Sequence, residues 1–362
     1  MSSNKIGRVF LKILWILLAV ILLFTLGTYI RHRIKTSHEI ALLKEKGYYH
    51  PVSVGDYSLN VTSFGNENGK HTFVGLAGLG SGDFSVAAKQ MTAELEKDDL
   101  VVFIDRAGYG FSEDTEHEMT LAYIVEDYRR ALKNAGIEAP YILLPHSIGG
   151  AYANYWVSHY PEEIEAVVFV DGSQLSDDAF HDEPSSTVTL WDRVLSLLAK
   201  LGFSRYVLRD YYYHLPDNYS PEEQILGDAL SLMTMDSIAP VSESVLLAPN
   251  AQEAFRGIVT NDVPKLYICA SWGIRTNEEL IAHSVWINRQ FQLNHMDRVP
   301  HSLEPDDEVL EALEKMRQDT IYPYAEKMGN CQVVCLGGDH MIYEQKPEEC
   351  GKIIKDFIDG LE

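Results

Sequence analysis

The 362-residue chain has few cysteines. There are four, Cys269, Cys331, Cys335 and Cys350, all in its last quarter. None stands at C-x-x-C spacing, and small secreted domains carry far denser frameworks, so neither a zinc site nor a disulfide scaffold is expected. Cys331 and Cys335 fall on one expected strand, where four residues rise about 13 Å at about 3.3 Å each, too far to bridge. They are read as buried thiols instead. H-E-x-x-H is absent, and His, Asp and Glu do not recur at ligand spacing, which argues against a metal mechanism. No G-x-G-x-x-G or Walker sequence follows a strand, so no nucleotide cofactor is expected, and indeed no cofactor of any kind. Positive charge is scarce as well. Thirty Lys and Arg face 53 Asp and Glu, a formal net charge of −23, and no basic cluster interrupts the acidic body. A nucleic-acid partner is excluded on that ground, and the charge is read as serving solubility. Internal repeats and low-complexity tracts are also missing.

The composition, 46% hydrophobic and 23% charged, is that of a folded protein with a large core. One apolar run is long. Ile13 to Ile30 contains no charged residue. As a helix it rises about 27 Å at 1.5 Å per residue, close to the hydrocarbon thickness of a bilayer. Lys5, Arg8 and Lys12 would also suit the start of a secretory signal, but the run is long and no A-x-A site follows, so residues 1–36 are read as an uncleaved membrane anchor. Arg31, Arg33 and Lys35 balance the charge on the far side, and orientation is barely specified. The body is expected on the outer face, because short anchored N-termini commonly stay inside.

Thr36 to Lys46 reads as a short helical or flexible stalk, and the globular part as starting near residue 48. Tyr57 to Phe64 alternates like a half-buried strand. Thr72–Leu76, Leu100–Ile104, Tyr141–Leu144, Ala166–Val170, Lys265–Ala270 and Gln332–Leu336 are short runs, apolar nearly throughout, as strands covered on both faces are. Helical patterns separate them at Phe84–Leu95, Leu121–Asn134, Gly150–Tyr160 and Pro347–Ile358. The order βαβα predicts an α/β fold with a mostly parallel central sheet flanked by helices. Two stretches break the rhythm, from Gly172 to Asp262 and from Ser271 to Asn330. The first, 173–262, holds apolar helical patterns at Trp191–Leu201 and Pro221–Met233 and a tyrosine-rich stretch from Arg209 to Leu215. It is read as an inserted helical lid between two core parts, 37–172 and 263–362. Such a lid would cover the carboxyl edge of the sheet, where open α/β sheets bind ligands. The competing view is a surface insertion with no substrate role.

Tyr141-Ile-Leu-Leu-Pro-His-Ser-Ile-Gly-Gly150 is a buried strand running directly into a helix, with Ser147 at the turn. A serine hydroxyl is a poor nucleophile unless held towards both substrate and base, and a tight strand-to-helix turn does this. Gly149 and Gly150 remove side chains that would clash there. Pro145 stands where G-x-S-x-G has its first glycine. Gly78-Leu79-Gly80 follows the third strand, Asp105-Arg-Ala-Gly-Tyr-Gly-Phe-Ser112 the fourth, and Gly338-Asp-His340 the last. In this order, over roughly residues 50 to 362, the set resembles the α/β-hydrolase family. Epoxide hydrolases and dehalogenases share that architecture with Asp at the turn, and Ser147 points away from them.

The resemblance implies that the amides of Leu79 and Ile148 form an oxyanion hole. Ala77 stands where the family commonly has His, so the anchoring of that loop is expected to differ. Gly78 to Gly80 could also be only a flexible turn. His340, after Gly337-Gly338, is expected to return over the sheet edge and take the Ser147 proton as general base. His146 is read as a pocket or packing residue and Asp105 as the brace of the glycine-rich loop. For the orienting acid, the segment Cys269 to Glu278 has no Asp. Asp171, ending the sixth strand, is chosen because some hydrolases of the family place the acid there. The alternatives are a structural role for Asp171, with Glu278 or Glu279 as the acid.

The resulting expectation is a serine hydrolase acting through an acyl-enzyme on Ser147, an esterase or lipase of the carboxylic-ester class. Its substrate would be a small-molecule or lipid-like ester. Peptidase, thioesterase, acyltransferase and perhydrolase activities fit the same triad. A catalytically silent, ligand-binding relative and a membrane-tethered scaffold are the rivals from other classes.

Overall fold

The computed structural model describes residues 3–177, 179–180, 187–207, 215–270, 274, 276, 278 and 307–361. The apolar runs of the chain form eight strands: β1 (Pro51–Ser53), β2 (Ser58–Gly65), β3 (Thr72–Leu76), β4 (Leu100–Ile104), β5 (Tyr141–Ser147), β6 (Ile164–Gly172), β7 (Lys265–Cys269) and β8 (Cys331–Cys335). They make one sheet in the order β1-β2-β4-β3-β5-β6-β7-β8. The β1/β2 and β2/β4 pairs are antiparallel and all the others parallel. β1 is the strand that the sequence pattern misses: three residues, mostly exposed, carry no hydrophobic signal.

Both faces of the sheet are covered, which is why its central strands lack polar alternation. Neighbouring residues serve opposite cores. Val74, Leu143 and Val167 pack with Leu121, Tyr128 and Trp156 of helices 121–135 and 149–159. Phe73, Ile142 and Val168 pack with Met91, Ile354 and Ile358 on the other side. The Thr120 hydroxyl caps helix 121–135 by accepting the Tyr123 amide, and Gly136, at φ 75°, ends it. The helix expected over Phe84–Leu95 is instead two single turns, Phe84–Ala87 and Lys89–Thr92, and a 3₁₀ turn at Leu95–Lys97. Phe84 to Ala88 are buried in succession, so this stretch has no solvent face and follows the core instead of one helix axis, while Ala93 and Glu94 beyond it are exposed. The thiol expectation also needs correcting. Cys269 and Cys350 are buried, but Cys331 and Cys335 only half-buried, because β8 is an edge strand.

One helix runs from Ser3 to Glu45 without interruption, so the expected stalk is a continuation of the apolar segment. It is long and apolar enough to cross a membrane, with a mean hydropathy of 2.8 over its most apolar part. Its second half docks on the segment between β6 and β7. Thr28 Oγ1 donates to the Leu201 carbonyl at 3.0 Å. Arg205 binds Glu39 at 2.6 Å and His32 and Thr36 at 2.9 Å. Gly202 sits so close that a Cβ there would come 2.5 Å from the His32 Cβ.

Between β6 and β7 the described residues form helices 190–200, 204–207, 221–234, 239–245 and 247–256. They lie over loops at the carboxyl ends of β3 and β4: the Gly110 amide donates to Thr234 Oγ1 at 3.1 Å, and Asp114 accepts the Ile238 and Ala239 amides at 2.9 and 3.0 Å. Most of the tyrosine-rich stretch, and residues 279–306 of the second break in the rhythm, lie outside the described residues.

Candidate active site

β5 lies between β3 and β6 in the middle of the sheet and ends at Ser147. Ser147 has φ 53°, and helix 149–159 begins two residues later. A non-glycine residue in that region costs of order 1–3 kcal/mol and persists only where the surroundings impose it. The surroundings here are specific. A Cβ on Gly149 would lie 2.3 Å from the Leu76 carbonyl oxygen, and one on Gly78 would lie 3.0 Å from the Ser147 Cβ. Pro145 is paired with Leu76 two residues before the end of β5, just ahead of a register break between His146 and Ser147. Proline enters sheets at such irregularities.

β6 ends in a second strained residue, Asp171, at φ 45°. Its Oδ1 accepts the Ala270 amide at 2.8 Å, and its Oδ2 lies 2.7 Å from His340 Nδ1. The carboxylate is only 13% exposed and the imidazole 25%. In a neutral imidazole with Nδ1 facing a carboxylate, Nδ1 carries the proton and Nε2 is the acceptor. The loop that brings His340 back is tied locally: the Met341 amide donates to Asp339 Oδ1 at 2.9 Å and the Asp339 amide to Gln345 Oε1 at 3.1 Å. The structure thus brings Asp171 and His340 together. Glu278 is exposed, and Glu279 lies outside the described residues.

His146, next to Ser147 in sequence, supports this pair from below. Its Nε2–H donates to the His340 carbonyl at 2.9 Å, and the two rings are 4.5 Å apart between centroids. Phe84 stacks on it and Tyr343 meets it edge-on. Burial, with the neighbouring His340 ring adding to it, pulls its pKa well below the ordinary histidine value. His146 is therefore neutral, with the proton on Nε2, and packs as the sequence suggested.

The loop Ala77–Gly80 is held by residues the sequence reading did not single out. Arg106 Nη1 and Nη2 donate to the carbonyls of Ala77 and Gly78, each at 2.7 Å. The Gly80 amide donates to the Tyr109 hydroxyl at 3.2 Å. Arg106 is buried, lies 4.2 Å over the Tyr109 ring, and pairs through Nε with Glu243 Oε2 at 3.0 Å; Tyr152 donates to the other Glu243 oxygen. This guanidinium supplies anchoring to a loop that lacks the usual histidine at Ala77. Its only sequence signal is its place after Asp105, and Glu243 has none. Leu79 is half-buried against the core and Ile148 fully buried. Asp105 braces the following loop as expected, Oδ2 accepting the Phe111 amide at 3.1 Å and the Asn60 side chain at 3.0 Å.

Among the described residues, no three His, Cys, Asp or Glu stand close enough to hold a metal ion. A cavity of about 700 Å³ lined by His50, Val52, Thr72, Leu100 and Glu138 lies at the amino ends of the strands, the opposite edge from Ser147.

A family model described as alpha/beta hydrolase fold matches residues 75–212. "Uncharacterized protein YbdG" of Bacillus subtilis (strain 168) is 35% identical over 198 residues, 54% of this chain and 59% of that protein. "Putative methylesterase 15, chloroplastic" of Arabidopsis thaliana is 28% identical over 159 residues, 39% of this chain and 34% of that one. The chain thus spans less than two thirds of the length of these relatives. Among solved structures, a bacterial membrane phospholipase A has a TM-score of 0.55 at 16% identity, covering 95% of this chain and 98% of its own. At that identity the likeness is one of fold.

Proposed function

The chain is an α/β-hydrolase-fold protein, and on that premise we propose that it is a membrane-anchored serine esterase with Ser147 as nucleophile, His340 as general base and Asp171 as its orienting acid. The observation that carries this reading is the 2.7 Å pairing of His340 Nδ1 with Asp171 Oδ2 beside the strained turn that holds Ser147. In this reading the neutral ring keeps its proton on Nδ1, and Nε2 serves as the base. Loss of the Ser147 proton to Nε2 accompanies formation of the Oγ–C bond to the ester carbonyl. The carbonyl electron pair moves to oxygen, where the amides of Leu79 and Ile148 receive the charge. Collapse of the tetrahedral species expels the alcohol, which takes the proton from His340; water then repeats the cycle on the acyl-enzyme. General base catalysis of this kind contributes roughly 10²–10⁴ in rate, and each oxyanion donor about 10²–10³.

Residues 173–262 serve as the lid in this reading, since their helices rest on the loops that border the site. The run Ile13–Ile30 is the anchor, with the catalytic body on the outer face. Esters with an apolar acyl chain are the favoured substrates, in keeping with the membrane segment, and a putative methylesterase among the similar proteins is in keeping with ester chemistry.

A fluorophosphonate probe tests the chemistry. Labelling of the full chain at Ser147, abolished in Ser147→Ala, is the expected result, and no labelling of folded protein favours a silent binding protein. p-Nitrophenyl esters of increasing length then define the substrate, and activity confined to acetate removes the lipid-like assignment. Protease treatment of intact cells checks the side on which the body lies.

A further inference from the structure

Helix 190–200 turns the small residues Ser196 and Ala199 to the protein, flanked by the half-exposed charged side chains of Arg193 and Lys200. Arg193 reaches Glu116 at 2.7 Å, Lys200 reaches Asp114 at 3.5 Å, and Ser196 Oγ donates to the Asp236 carbonyl at 2.6 Å. Ser196 and Ala199 are its buried residues. The opposite side carries Leu190, Trp191, Leu195, Leu197 and Leu198, between 36% and 79% exposed. At about 100° per residue these side chains fall within one sector of roughly 160°. A helix on the water-facing surface of a globular protein has the reverse arrangement. Single exposed leucines mean little, whereas a contiguous apolar face marks a partner or a membrane.

The position of this helix identifies the partner. Its carboxyl end is pinned to the apolar segment, Thr28 Oγ1 donating to the Leu201 carbonyl at 3.0 Å. Phe203 and Tyr206, just beyond it, meet the Phe24 ring at 6.1 and 6.5 Å. Phe24 and Thr28 both belong to the uncharged run ending at Ile30, and Phe24 lies about 9 Å inside that end at 1.5 Å per residue. Arg31, the first charge after the run, stands 4.8 Å over the Tyr206 ring. A tyrosine beside the first flanking cation is the arrangement of a bilayer interface.

We propose that the outward face of helix 190–200 lies in the lipid surface, as an in-plane interfacial helix, so that the insertion over the sheet edge meets acyl chains directly. This rests on the reading of Ile13–Ile30 as a membrane anchor. Substrate then reaches Ser147 from the bilayer, and lipid covers the apolar face of the helix while Arg193 and Lys200 keep Glu116 and Asp114 as partners.

The test uses the full chain in phosphatidylcholine/phosphatidylglycerol vesicles whose acyl chains carry bromine near the headgroup. Trp191 emission is obtained as the difference between Trp15→Phe and Trp15→Phe/Trp191→Phe, which removes the other tryptophans. Trp191 is expected to lose most of its emission to the brominated lipid and little to aqueous iodide. Quenching by iodide without quenching by bromine places the face in water and overturns the proposal. Protection from both overturns it as well, since protein then covers the face, whether a second copy or another segment of this chain. Trp15, read in the same way in the Trp191→Phe background, separates the two layers of the argument. If Trp15 is quenched by bromine and Trp191 is not, only the interfacial helix fails. If neither is quenched, the anchor reading fails with it.

Discussion

Arg106 and Glu243 form a buried ion pair at 3.0 Å between residues 137 apart in sequence. Glu243 belongs to the helical insertion, and the same guanidinium holds the carbonyls of Ala77 and Gly78. The position of the insertion and the direction of the Leu79 amide therefore depend on one side chain. Arg106→Lys keeps the charge but loses the planar fork that reaches two carbonyls at once. We expect a fall in kcat of about tenfold to a hundredfold, the scale of a misplaced oxyanion donor, with KM nearly unchanged. Glu243→Gln leaves a buried guanidinium without its counter-charge and is expected to cost about 3–5 kcal/mol of stability. Steady-state kinetics on a p-nitrophenyl ester and a thermal unfolding curve for each variant decide this. Unaltered kcat in a well-folded Arg106→Lys removes the positioning role.

Asp171→Asn preserves the shape of the carboxylate but cannot hold the His340 tautomer. A loss of about 10⁴ in kcat is expected, as for other orienting acids. Folding is monitored by circular dichroism. Near-normal turnover would transfer the role to Glu278 or Glu279.

Burial pushes the Asp105 carboxyl up to about 7 from its ordinary 3.8, against the opposing pull of the Phe111 amide, Asn60 and Arg106. Between these values the folded state holds a proton that the unfolded state has released. Asp105 therefore lends stability below about pH 4 that is lost as pH rises through about 7. In Asp105→Asn, whose Oδ1 can still accept both bonds, this loss disappears. The stability difference, variant minus wild type, is expected to grow from pH 4 to 7 and then level off, measured by urea unfolding in detergent. A difference independent of pH contradicts it.

Two glycines near the site separate steric from conformational demand. A Cβ on Gly149 meets the Leu76 carbonyl at 2.3 Å, whereas one on Gly80, at φ 79°, meets nothing within 4 Å. Gly149→Ala is expected to cost about 1–3 kcal/mol or more through backbone displacement and to abolish activity. Gly80→Ala should cost only the strain of a left-handed residue, about 1–2 kcal/mol. Unfolding midpoints of the pair, with fluorophosphonate labelling, test the distinction. A Gly149→Ala variant that unfolds no earlier than Gly80→Ala and still labels at Ser147 would refute it.

The alternation of apolar strands with helical patterns was legible because each strand of a buried parallel sheet writes its own local signal. Even so, Phe84–Leu95 broke into turns, because Phe84 to Ala88 are buried on every side, and β1 was too short to register. The turn at Ser147 was readable because the apolar strand, the serine and the two glycines stand together in the chain, although what makes Gly149 necessary is the Leu76 carbonyl at the end of β3. Glu243 was invisible, since a glutamate in a polar-looking segment becomes a buried counter-ion only when Arg106 is brought to it. Helix 190–200 was recognised as apolar, but which side it would turn to the protein was not.

By itself the amino-acid sequence determined what is local: an uncharged run of membrane length, the βαβ rhythm, a serine at a glycine-flanked turn and a histidine after the last strand. The tertiary structure alone decided which carboxylate meets that histidine, which cation holds the loop after β3, and how the helical insertion is faced. The physical reason is that periodicity and turn chemistry are encoded within a few residues. Contacts such as Asp171 to His340, 169 residues apart, are set by sheet order and register, which no short stretch of chain contains.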